Sequence, residues 1–244
     1  MSGLPPISRP SCWAVRVVCW AALLYVYFAV YLRPAYAPFD FLLLNVFLAY
    51  VPIELALHLD ARARPPVFWT LFAAWLLFYP NAPYVFTDLF HLAKYEPYIL
   101  RENGARTGLL RPDLSMWLMF ANLGASALLC LLFGVASLQH VVRELARRLG
   151  HDGWRTRVSL VLGLTALAST GIYIGRFLRL HSADLLLRPC YAAGQLVGVW
   201  NADAALFVAI MTAFQMAVWV LVVFTGGLAR PLPGGGARNG RTNG

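Results

Sequence analysis

Six stretches, at approximately 13–32, 39–58, 66–86, 114–138, 157–175 and 204–225, consist almost wholly of apolar residues. Crossing a hydrocarbon core of about 30 Å takes roughly 20 helical residues, and each stretch reaches or nears that length. With 60% hydrophobic residues, 13% charged ones and a mean hydropathy of +0.63, the chain is too apolar for an ordinary soluble domain. Pro34, Pro38, Pro65, Pro66 and Pro112 fall between the stretches, where a missing backbone donor does least damage. The expected fold is all-α, a polytopic transmembrane bundle of about six spans. It comprises one membrane domain over 13–228, a cytoplasmic N-terminus at 1–12 and a disordered cytoplasmic tail at 229–244. The first stretch is read as an uncleaved helix, because it is longer than a signal core; the alternative is a signal peptide cleaved near Ala35, Tyr36 and Ala37.

Charge supplies the orientation. Twelve of the 20 Lys and Arg residues fall on the side that carries both termini and eight on the other. The positive-inside rule therefore puts both termini in the cytoplasm of a multi-pass protein of the plasma membrane. The formal net charge of +9 is mostly this orientation signal, with membrane lipids as the expected partners. Nucleic-acid binding is not expected, since no basic face on a soluble element is visible. Cys12, Cys19, Cys130 and Cys190 have neither metal-type nor redox spacing. Residues 139–149 are expected to extend the fourth span as an interfacial anchor, with His140 and His151 at the surface.

The third span ends unusually. From Val67 to Tyr79 a helix rises only about 20 Å, short of the far surface. Pro80, Asn81, Ala82 and Pro83 then interrupt it, and a discontinuous helix is expected, with Asn81 capping the second piece. Backbone freed inside a membrane must be buried in protein or face water. Asn45 and Asn122 are expected at the depth of Asn81, where the three could satisfy the freed groups; plain interhelical hydrogen bonding is the alternative for Asn45 and Asn122. Beyond the break, Asp88 and His91 share a helix face, and in the later segment Arg176, Arg179 and Asp184 cluster with His181 at the edge. These are the parts of a phosphate or carboxylate site, or else of an ion-pair clamp between two segments. Asp88, His91, His181 and Asp184 could together suit zinc, yet i,i+3 spacing is common by chance and no H-E-x-x-H pattern accompanies it. No metal or cofactor is assigned. Near the other side, Glu54 and His58 read as a local pair.

The segments WLLFYPNAPYVFTDLFHL and GIYIGRFLRLHSAD resemble the two signature regions of the domain of unknown function 1361 family, bacterial and archaeal membrane proteins. The resemblance extends over about residues 40–225 and implies several spans and an integral membrane location, without an activity. The matching positions are Pro80, Asn81, Ala82, Pro83, Tyr84, Thr87, Asp88, Leu89 and His91, then Gly175, Arg176, Phe177, Arg179, Ser182 and Asp184. His181 and Ala183 depart from the Asn-Ser-Trp-Asp usual there, which weakens the metal reading.

The leading expectation is an outward-facing polar pocket for an anionic lipid headgroup or small anionic solute. Arg176 and Arg179 would hold the anion, and Asp88, His91 and Asp184 would orient them. The alternatives are an enzyme acting on a lipid-linked substrate with Asp88 or His91 as general base, a small-solute transporter, and a structural or assembly factor.

Overall fold

The computed structural model describes residues 9–31, 41–178, 190, 194 and 200–228. The chain runs through α1 (Arg9–Tyr31), α2 (Phe41–His58), α3 (Pro65–Phe78) and α4 (Asn81–Thr87) into a 3-10 helix, Asp88–Lys94. A hairpin of β1 (Tyr98–Leu100) and β2 (Arg106–Leu110) leads to α5 (Leu114–Arg148). Then come α6 (Trp154–Tyr173), a π-helical turn over Ile174–Leu178, and α7 (Ala202–Leu228). Four helical segments are long and apolar enough to cross a membrane: α2, α5, α6 with its π-helical continuation, and α7. In α1 the apolar described segment is the shorter Trp13–Phe28, and the third span is shared between α3 and α4. The protein is an all-α, membrane-embedded bundle.

Helix α2 packs on α1, α3, α4 and α5, whereas α7 packs chiefly on α6. One apolar cluster gathers Phe68, Trp75 and Tyr79 with Leu138, Val141, Val161 and Trp219. A second lies toward the hairpin end, around Val46, Ala82, Val85 and Leu123. Lipid tails are as apolar as these side chains, so close packing and polar contacts hold such helices together rather than water exclusion. The α6–α7 seam shows it: Gln215 Nε2 and the Thr212 hydroxyl both donate to Ser169 Oγ, at 2.9 and 3.0 Å.

The break between α3 and α4 is small in geometry. Tyr79 and Pro80 both keep right-handed helical dihedrals, φ/ψ of −54°/−38° and −55°/−26°. What changes is the hydrogen bonding. Pro80 and Pro83 have no N–H to give, Tyr79 N donates to Trp75 O at 2.7 Å, and Ala82 N turns to Tyr79 O at 3.1 Å before Tyr84 N resumes the four-residue step to Pro80 O. Asn81 does not cap α4 as expected. The residue preceding α4 is Pro80, and the Asn81 amide instead reaches back 2.9 Å to Phe78 O, serving a carbonyl that α3 leaves behind.

Neighbouring helices are cut away to admit this break. A Cβ on Gly171 of α6 would lie 2.7 Å from Pro80 Cγ, and one on Gly134 of α5 would lie 2.9 Å from Ala82 Cβ. At both positions only hydrogen fits.

At 35 residues α5 is about 52 Å long and outruns a bilayer, as the reading of 139–149 anticipated. Its extension does more than anchor. Arg148 Nη1 donates to the carbonyls of Ala61 and Ala63, and buried Glu144 accepts from Ala61 N, so the α2–α3 loop is gripped from beneath. His140 is half-buried here rather than at the surface: its Nε2 lies 3.1 Å from Leu59 O and its Nδ1 2.8 Å from Arg143 Nη2.

The hairpin was not anticipated from the sequence. Gly104 and Gly108 carry φ of 77° and 81°, which glycine alone adopts without strain, at the tip and at a register shift in β2. Glu96 closes it through Arg106, 3.0 Å away.

Two outcomes follow from these contacts. Gly171→Ala drives a methyl into Pro80 and lowers unfolding stability in detergent by about 1–3 kcal/mol, whereas Gly163→Ala, with nothing within 4 Å of the new methyl, is neutral or stabilising. In the hairpin, Arg106 holds the Glu96 carboxyl below the usual carboxylate range. The pair's contribution is thus complete above that range and is lost as pH falls through the lowered folded value, which amide chemical shifts of residues 98–110 would register.

Candidate functional site at the end of the broken helix

Asp88 is the first residue of the 3-10 helix that continues α4, and its side chain is only 1% exposed. A carboxylate so placed is costly unless paired and hydrogen-bonded. Asn45 Nδ2 from α2 donates to Oδ2 at 2.7 Å, and Arg176 Nη1 donates to Oδ1 at 3.2 Å. Three segments distant in sequence therefore meet at one carboxyl group.

The π-helical turn at Ile174–Leu178 carries Arg176, and π turns inside helices recur at functional sites. The guanidinium is held from several directions. Nη2 donates to Thr87 O at 3.0 Å, Nη1 lies 3.5 Å from the Tyr84 hydroxyl, and the guanidinium carbon stands 5.7 Å from the Tyr84 ring centroid. Guanidinium offers five N–H donors. The bonds described use the two terminal nitrogens, so Nε has no acceptor among the described residues, and the side chain keeps 22% exposure.

Tight 3-10 winding sets His91 above Asp88. Its Nδ1 is 3.0 Å from the Asp88 carbonyl and 3.8 Å from Oδ1, so the backbone contact is the hydrogen bond. A carbonyl only accepts, which puts the proton on Nδ1 and leaves Nε2, in the neutral ring, as an acceptor. The Phe41 ring lies 4.3 Å away, tilted by 34°.

Asn81, Asp88, His91 and Arg176 are thus placed along the end of one broken helix and its α6 neighbour, although Asn81 serves the break and not the cluster. Arg179, Asp184, His181 and Ser182 lie outside the described residues. Asn122 is elsewhere, accepting from the Tyr25 hydroxyl of α1, so the three asparagines do not jointly serve the break. Among the described residues no three His, Cys, Asp or Glu side chains form a metal-type group. Tyr84 and Thr87 were not assigned roles in the cluster; Thr87 holds Arg176 through its backbone carbonyl, which side-chain chemistry does not single out, and Tyr84 through its hydroxyl and ring.

A second polar group stands at the opposite end. Glu54 accepts from Arg16 at 2.5 Å and from the Tyr50 hydroxyl at 2.6 Å, with His58 Nε2 3.0 Å away. The expected Glu54–His58 pair is present, enlarged by a cation from α1.

Residues 44–218, over two thirds of the chain, match the family described as "Protein of unknown function (DUF1361)". The chain belongs to that family. No curated protein and no solved structure matches it significantly.

If the cluster is an interdependent charge site, Arg176→Ala strands a buried carboxylate and costs about 3 kcal/mol of unfolding stability. Adding Asp88→Asn removes that charge and restores much of the loss. A thermodynamic cycle in urea or heat measures the coupling, and simple additivity of the two changes would refute it.

Proposed function

We propose that the protein is a multi-pass protein of the bacterial plasma membrane, with both termini in the cytoplasm and an outward-facing site that recognises an anionic lipid headgroup or small anionic solute. One observation carries this reading: Arg176 is fixed by Asp88, Thr87 and Tyr84 while part of its side chain remains exposed and its Nε has no acceptor among the described residues. A partly exposed guanidinium at a membrane boundary suits phosphate or carboxylate. Asp88 lies behind it as the orienting carboxylate. His91 Nε2 stands ready to accept a proton from a ligand hydroxyl, or to donate once the ring is protonated. Arg179 and Asp184 would complete the site from the following connection.

A structural reading has its own support, since Asp88 is buried with a hydrogen bond to each oxygen and the same bonds tie α2, the 3-10 helix and the π turn together. The two readings part in the purified protein. Mass spectrometry of bound lipids and solutes is expected to find an anionic species that is reduced by Arg176→Lys and absent from Arg176→Ala. An unchanged bound content in folded Arg176→Ala protein leaves only the structural reading. So does full function in cells of the swapped pair Asp88→Arg with Arg176→Asp.

A further inference from the structure

The hairpin between the 3-10 helix and α5 exposes apolar side chains that no part of the described chain covers. Leu109 is 65% exposed, Leu110 49%, Leu100 48% and Ile99 41%. Cross-strand partners Tyr98 with Leu110 and Leu100 with Arg106 place Leu100 and Leu110 on one face, and alternation puts Ile99 and Leu109 on the other. Each face therefore carries two exposed apolar side chains, the first beside Arg106 and the second beside Thr107. A flat protein partner covers one face of a two-stranded ribbon, whereas immersion in a lipid interface covers both.

Position and charge point the same way. The strands lead within four residues to Leu114, 71% exposed at the start of α5, and to Trp117 on the same candidate span, so exposed apolar side chains run on along the chain from the hairpin into a membrane helix. Over residues 94–113 stand Lys94, Arg101, Arg106 and Arg111 against Glu96, Glu102 and Asp113, an excess of one positive charge suited to lipid phosphates. The tip at 101–105 is polar, and the unpaired strand edges keep their backbone groups where headgroups and water can reach them.

We propose that this hairpin is an interfacial membrane element, with Ile99, Leu100, Leu109 and Leu110 at the boundary between headgroups and acyl chains and the tip in the headgroup layer. It is a lipid-docking surface separate from the Arg176 cluster and stands whether or not that cluster binds an anion.

Spin labels on Leu109→Cys and Asn103→Cys test it in the full chain, reconstituted in nanodiscs containing phosphatidylglycerol. Exposed Cys190 is replaced by alanine, and the parent chain carried through labelling supplies the blank. The Leu109 label is expected to be accessible to oxygen and shielded severalfold from a water-soluble nickel chelate relative to Asn103. Equal access of the chelate to both positions overturns the proposal. Dipolar broadening between Leu109 labels also overturns it, by showing a second copy on the hairpin instead of lipid.

Discussion

Inside hydrocarbon a backbone amide or carbonyl finds no solvent partner, and an interruption in a spanning helix must be satisfied by the protein around it. The proline pair after α3 creates that debt, and much of the bundle is arranged around it. The chain keeps helical dihedrals through Tyr79 and Pro80, so few groups are freed. Asn81 serves one of them, and Gly134 and Gly171 let α5 and α6 close on the break until little space remains. Among the described residues, the interruption is thereby met by close approach of both neighbouring helices.

Carboxylates follow a related logic. Asp88 and Glu144 are buried, Glu54 is half-buried, and each meets an arginine. For Asp88 and Glu54 the cation comes from another helix, so the pair links segments as well as neutralising charge. Glu144 pairs with Arg143 and Arg147 of its own helix and spends another lone pair on the amide of Ala61 across the bundle. Where water exclusion cannot drive helices together, directional contacts of this kind specify which helix sits beside which.

The spans were legible because runs of about 20 apolar residues have few other uses. The break was legible because proline removes a donor whatever its surroundings. Asp88 and His91 were paired by spacing alone, and they do meet, though through the Asp88 carbonyl rather than chiefly through its carboxylate. The partnership with Arg176 was one of two readings of clustered charge. The direction in which Asn81 points escaped the sequence, because an amide beside a break can serve either end. His140 escaped because its burial depends on the α2–α3 loop, some 80 residues earlier. The π turn leaves no mark in composition, and the hairpin rests on two glycine conformations in a stretch with no alternating pattern of useful length.

The shared third span bears on how the protein is made. Helix α3 rises about 21 Å and α4 about 10 Å, so neither piece alone crosses the hydrocarbon, and the longer one ends at a proline. What completes them arrives late in synthesis: Gly134, then Gly171, then Arg176, 88 residues after the aspartate it neutralises. A chain that runs only through the 3-10 helix holds a carboxylate without its arginine and a break without its α5 and α6 neighbours. The full set of contacts around the third span therefore exists only when α6 and the turn that follows it are in place, so the most N-terminal break in the bundle is closed by its C-terminal half.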